Sequence, residues 1–166
     1  MPAKSDVIVL IGPMGVGKST VGKKLARALK IPFCDTDNLI VDEHGKIADF
    51  FAEHGEEAFR EVEHLALARA LKSPGIVATG GGAVLLEKSR ALLKNATVVY
   101  LATDGKHMGS RLRNGSRPLL KNGMDDWKRI YNSRKSIYES TADVTIDTSG
   151  HPLAQTISEI RERLSI

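Results

Sequence analysis

Eight residues constrain this chain more than any others: Gly12-Pro13-Met14-Gly15-Val16-Gly17-Lys18-Ser19. They fit G-x-x-x-x-G-K-[ST], a turn whose bared backbone N–H groups cradle the phosphates of a nucleoside triphosphate. The flanks supply the context such a turn needs. Val7-Ile8-Val9-Leu10-Ile11 is a run of aliphatics that reads as a strand buried on both faces. Ser19 to Lys30 carries Val21, Leu25 and Leu29 on one helical stripe. Gly12, Gly15 and Gly17 let the backbone curl into a concave nest, and the helix start adds its positive dipole end. Lys18 is expected to reach the β- and γ-phosphates and Ser19 to ligate Mg²⁺, with Gly15, Val16, Gly17 and Thr20 around the ATP phosphates.

A chain of 166 residues suffices for one domain with a real core. No apolar run is long enough to span a bilayer, and Met1 to Asp6 lacks the apolar stretch of a signal peptide, so a cytoplasmic enzyme without membrane contact is expected. Cys34, the single cysteine, excludes an internal disulfide and reads as a small buried residue. The five histidines show no zinc pattern. A net charge of +4 suits either nucleic acid or a site for anionic small molecules. With aromatics at 5%, too sparse for a base-stacking platform, no nucleic-acid partner is expected.

The remaining elements alternate strand and helix, which argues for a parallel sheet covered on both faces. Ligands bind beyond the C-terminal strand ends of such sheets, and the informative residues fall there. Ile31 to Cys34 reads as a second strand leading into Asp35-Thr36-Asp37. Asp35 can hold a water on Mg²⁺, and Asp37 can accept a hydrogen bond from a substrate hydroxyl. The structural alternative is that Asp37 N-caps a helix beginning near Asn38. Helical spacing predicts one helix over 46–54, broken by Gly55, and another over 56–71 with Phe59, Val62, Leu65 and Ala66 inward and Arg60 near its start. Gly75 to Thr79 is a third strand opening on Gly80-Gly81-Gly82, read as a flexible turn or as a ligand wall. This strand lacks the acid that often completes a phosphate-loop metal site, which leaves Asp35 as the candidate.

Helices are expected over 87–94 and 104–112, with a fourth strand, Thr97 to Leu101, between them. The basic, glycine-bearing stretch from Arg113 to Gly123 reads as a lid, with Arg117 free to meet a transferring phosphoryl group or simply solvated. The helix Met124 to Ser140 places Arg134 on the same stripe as Trp127, Ile130, Tyr131, Ile137 and Tyr138. An inward guanidinium needs an anionic partner, from a ligand or from a structural salt bridge. Val144 to Ile146 is a fifth strand, and Pro152 opens a last amphipathic helix. Arg60 and Arg134 can clamp a carboxylate while Asp37 and the triple glycine hold hydroxyls, the arrangement of a kinase for a small hydroxylated acid.

The set GPMGVGKST, DTD, GEEAFREVE, ATGGG, SRPLL and ADVTIDT resembles shikimate kinase from residue 7 to the last helix. The resemblance implies a three-layer α/β P-loop fold like that of nucleoside monophosphate kinases, with a five-stranded parallel sheet in the order 2-3-1-4-5. It implies a single domain over 1–166, with a substrate region about 35–62 and a lid about 112–124, acting as a monomer. It also implies transfer of the ATP γ-phosphate to the 3-hydroxyl of shikimate, on the route to chorismate and the aromatic amino acids. By position, Lys18, Asp37 and Arg117 are then catalytic and Ser19 and Asp35 lie on the metal side. Asp37, Arg60, Gly80, Gly81, Gly82 and Arg134 hold shikimate, while Arg111 and Pro152 flank the adenine. The family's R-x-P-x-Y is here Arg134-Lys135-Ser136-Ile137-Tyr138, without the proline. The stretch from Arg111 to Arg117 is one residue shorter than in the family.

Overall fold

The computed structural model describes residues 5–111 and 119–166. Its five strands are β1 (Val7–Ile11), β2 (Phe33–Asp35), β3 (Gly75–Ala78), β4 (Thr97–Ala102) and β5 (Val144–Asp147). They form one parallel sheet in the order β2-β3-β1-β4-β5. Central β1 is paired on both sides, Val9 opposite Val77 of β3 and Val98 of β4. This is why its aliphatic run does not alternate with polar residues.

The crossovers are α1 (Lys18–Leu29), α2 (Thr36–His44), α3 (Ile47–Ala70), α4 (Glu87–Leu93), α5 (Met108–Arg111), α6 (Met124–Thr141) and α7 (Leu153–Leu164). Successive side chains of a strand point to opposite faces, so β1 feeds two cores. Ile8 and Leu10 pack with Val21 and Leu25 of α1 and Ile160 and Leu164 of α7. Val9 and Ile11 pack with Leu67 of α3, Leu93 of α4 and Trp127, Tyr131 and Tyr138 of α6. Leu10 is fully buried, and cutting such a leucine back to alanine costs about 2–5 kcal/mol. A smaller cluster of Ile40, Phe59 and Ala66 seats α2 against α3. Among the described residues, no helix is long and apolar enough to cross a membrane.

As expected, α3 is broken into two helical stretches at Gly55, whose φ of 84° and ψ of 174° lie outside the helical region. Local chemistry departs from the expected pattern at several points. Leu65, expected inward, is 62% exposed, because the inner stripe after Gly55 runs through Phe59, Glu63, Ala66, Leu67 and Ala70 and leaves Leu65 to one side. The helix expected from Asp104 begins only at Met108. Before it, Lys106 N donates to Asp104 Oδ1 (2.9 Å) and Gly105 N to Thr103 Oγ1 (3.1 Å), side-chain turns that compete with helix. Cys34 is only half-buried, and desolvation is the main reason its thiol is raised from its ordinary value. α6 runs through Ser136 to Thr141, as the missing proline allows.

Candidate active site

The C-terminal ends of β1, β2 and β3 face two adjoining cavities. The first, about 610 Å³, is lined by the turn 14–20 and by residues of the β5–α7 connection. The turn gets its shape from glycine: Gly15 has φ 80° and Gly17 has φ 107°, values that L side chains rarely adopt. Gly17 also sits at the N-terminus of α1, so the helix's positive end opens into this cavity. Lys18 is buried, its Nζ donating to the carbonyls of Gly12 (2.7 Å) and Pro13 (2.9 Å). Its ammonium therefore closes over the turn from inside. The distal wall comes from Thr148, His151, Leu153 and Thr156. Pro152 occupies the N-cap of α7 between two of these lining residues. Arg111 ends α5, and Arg117, with most of the expected lid, lies outside the described residues.

Asp35 ends β2, where its carboxylate accepts a hydrogen bond from Ser19 Oγ and another from Asp37 N (2.8 Å). Asp35, not Asp37, is thus the N-cap, and α2 starts at Thr36. The reason is reach: an N-cap side chain bonds the amide two or three residues on, and the strand delivers Asp35 to that position. Asp37, in the first turn of α2, is left to face both cavities. A hydroxyl and a carboxylate in contact beside the phosphate turn form an oxygen donor set that fits Mg²⁺, which takes few protein ligands and keeps waters or phosphate oxygens. On β3, where an acid often stands, Thr79 Oγ1 instead donates to Leu10 O at 2.8 Å.

The second cavity, about 410 Å³, holds Arg60, Arg134 and Lys46 facing Asp37 and Glu63, against a wall that includes Phe51 and Phe59. Arg60 is 7% exposed and is paired with Glu63 (2.8 Å) and Glu56 (3.2 Å). Burial raises the Glu63 carboxyl from its ordinary value, against the pull of Arg60. Arg134 is 6% exposed. The arginine ion pairs within 4 Å among the described residues belong to Arg60, Arg69 and Arg129; Arg134 has no carboxylate that close, though its charge joins that of Arg60 in drawing down the Glu63 carboxyl. Arg134 contacts the Tyr138 hydroxyl, which burial pushes up to about 12 and so keeps protonated. A buried cation with no carboxylate in direct contact, in a cavity with three cations and two carboxylates, suits an anionic occupant.

The triple glycine was expected to supply flexibility or bare N–H groups. Its backbone instead has no room for side chains. A Cβ on Gly82 would lie 2.2 Å from Arg60 Nη1, one on Gly80 2.9 Å from Glu63 Oε2, and one on Gly81 3.1 Å from Met14 Cγ. Glu63, Lys46 and Met14 are cavity residues that the sequence reading passed over. Glu63 carried a usable signal, since it stands three residues after Arg60 on a helix and so shares its face. Met14, Asp37, Gly80 and Gly81 line both cavities.

A family model for shikimate kinase matches residues 14–165. The chain is 39% identical to a shikimate kinase of Rhodococcus jostii over 165 residues, covering 95% of this chain and 96% of that one. It is 45% identical to a shikimate kinase of Thermobifida fusca over 147 residues, 86% of each. The fold superposes on a shikimate kinase from Acinetobacter baumannii in complex with shikimate with a TM-score of 0.90, at 35% identity and covering 96% of this chain and 93% of that chain. Twin cavities at the strand ends, the strand order and likeness along almost the whole sequence agree, and the chain belongs to the shikimate kinase family.

Proposed function

We infer that this protein is a shikimate kinase, transferring the γ-phosphoryl group of ATP to the 3-hydroxyl of shikimate to give shikimate 3-phosphate and ADP. The observation that carries this reading is Arg134. It is a buried guanidinium with no carboxylate within 4 Å among the described residues, in a cavity that shares a wall with the phosphate turn. An acceptor with one carboxylate and several hydroxyls supplies the missing charge and hydrogen-bond partners.

In the proposed mechanism the N–H groups of the turn and the Lys18 ammonium bind the β- and γ-phosphates and take up charge that develops on transfer. Ser19 and Asp35 hold Mg²⁺, which when bound neutralises phosphate charge. Arg134 and Arg60 anchor the shikimate carboxylate, Glu63 holding Arg60 in place through the 2.8 Å bond. Asp37, shared by both cavities, accepts the hydrogen bond of the 3-hydroxyl and orients its oxygen toward the γ-phosphorus. That oxygen forms the new P–O bond, the bond to the ADP oxygen breaks, and the hydroxyl proton leaves by way of Asp37. Gly80 to Gly82 lie along the ring of the acceptor. Arg117 as a phosphate contact, with Arg111 and Pro152 about the adenine and a lid over 112–124, completes the proposal on sequence grounds. So does a cytoplasmic monomer.

Purified protein with ATP and Mg²⁺, offered shikimate, gluconate and nucleoside monophosphates in parallel, tests the reading. Turnover of shikimate well above the others is expected. Equal or faster turnover of gluconate would overturn it.

A further inference from the structure

A phosphoryl group passing from one cavity to the other crosses between the residues common to both, Met14, Asp37, Gly80 and Gly81. Two of these are held from a distance. Trp127 Nε1–H donates to the Met14 carbonyl at 2.8 Å, and the Tyr138 hydroxyl donates to the Gly81 carbonyl at 2.5 Å. Both donors sit on α6, eleven residues apart, which is about three turns and so the same face. The two acceptor turns also touch: a Cβ on Gly81 would lie 3.3 Å from Met14 N.

Packing alone does not require these bonds. Trp127 and Tyr138 are 2% and 1% exposed. The indole packs on Tyr131 and the phenol stacks on Tyr100, each with ring centroids 5.1 Å apart. The rings would fill the core wherever the two carbonyls lay, whereas their polar ends reach separate loops more than fifty residues away in sequence. Neither side chain lines either cavity; Trp127 reaches the site through the backbone it holds, and Tyr138 does so through Gly81 and through its contact with Arg134. A displacement of about 1 Å between reacting groups costs on the order of 100-fold in rate.

We propose that Trp127 and Tyr138 are positioning residues for phosphoryl transfer, clasping Met14 and Gly81 to one helix so that the two cavities meet at a fixed width. The proposal rests on the phosphotransfer reading above for its kinetic consequence, and on geometry alone for its structural one.

Trp127→Phe and Tyr138→Phe each keep an aromatic ring and remove the donor. Ile130→Val, buried on the same helix and bonded to neither loop, is the control for loosened packing. With rates normalised to folded protein, each donor variant is expected to lose roughly tenfold or more in kcat. KM for ATP should stay within about twofold in both variants, and KM for shikimate within about twofold in Trp127→Phe; Tyr138→Phe also strips a hydrogen bond from Arg134, so it is read by its kcat and its ATP KM. ATP hydrolysis should rise relative to transfer as water gains entry. Ile130→Val should keep kcat. Amide exchange is expected to quicken over 12–16 in Trp127→Phe and over 80–83 in Tyr138→Phe, with α1 and β4 unchanged. Full kcat in both donor variants would overturn the proposal, as would faster exchange spread evenly over the chain. Should the wild-type protein leave shikimate unphosphorylated, the functional reading fails by itself. The exchange pattern still decides the clasp: local quickening supports it and unchanged loops refute it.

Discussion

Arg134 brings its charge into the core in contact with a phenol hydroxyl and with no carboxylate within 4 Å among the described residues, so a substrate carboxylate can supply a direct partner. Removing one member of a buried charge pair costs about 2–5 kcal/mol. Arg134→Ala should therefore raise the shikimate KM by roughly 30-fold or more, leaving the ATP KM nearly unchanged in steady-state kinetics. Gly82 tests the neighbouring cation without touching it. A methyl at Gly82 would displace the Arg60 guanidinium, and a charged hydrogen bond contributes about 1.5–3 kcal/mol. Gly82→Ala should thus raise the shikimate KM roughly 10- to 100-fold, again with little effect on ATP. Glu63 carries a pH signature. Burial raises its pKa above the usual 4.5, so the folded state holds the proton more tightly than the unfolded one. That contribution is full below the unfolded value and is lost as pH rises through the folded value, so stability falls with rising pH across the window. Thermal melts from pH 4.5 upward should show this fall in the wild type and a flatter profile in Glu63→Gln. Of these three residues, Arg134 was legible in the sequence from its place on an apolar stripe. Glu63 was hidden among the acids of GEEAFREVE. The glycines were read as a flexible turn or a ligand wall, and they do line the cavities; their close approach to Arg60, Glu63 and Met14 leaves no local mark.

Among the elements, α3 shows how a single glycine serves a site. Its first half sends Ile47, Ala48 and Phe51 into the acceptor cavity and its second half sends Phe59, Arg60 and Glu63 there. A straight helix of 24 residues extends about 36 Å and cannot turn both sets onto one hollow. The bend at Gly55 does so, and a Cβ there meets open space, so the obstacle to substitution is backbone conformation alone. Gly55→Ala should cost about 1–3 kcal/mol in stability and raise the shikimate KM more than the ATP KM, as calorimetry and kinetics would show. Sequence periodicity marked both halves and the break between them. It placed Leu65 inward because it drew the inner stripe through the apolar residues after Gly55, whereas Glu63 takes an inner position and shifts the stripe away from Leu65. It likewise extended a helix back to Asp104, where the side chains of Thr103 and Asp104 bond the backbone first. The alternative of a cap at Asp37 fell instead on Asp35, because two acids two apart are equivalent on paper until the strand ends at one of them.

For the molecule as a unit, the two-sided core follows from runs such as Val7 to Ile11 and from the stripes of α1 and α7, whereas the strand order was implied by the family resemblance. The meeting of the two cavities depends instead on contacts such as Trp127 to Met14, which span 113 residues and leave no periodic trace. A ligand that binds only the folded state stabilises it by about 2.7 kcal/mol at one hundred times its dissociation constant. For a chain of 166 residues this amounts to a rise in Tm of about 5–10 °C. Shikimate at that excess should produce this rise in a melting scan, and gluconate at equal concentration should not. Trp127 has one more consequence. It is the chain's single tryptophan, and its indole N–H rests on the phosphate turn. Near-ultraviolet emission therefore originates almost wholly at one spot beside the nucleotide cavity, so an unlabelled sample carries its own optical gauge of whatever reshapes that loop.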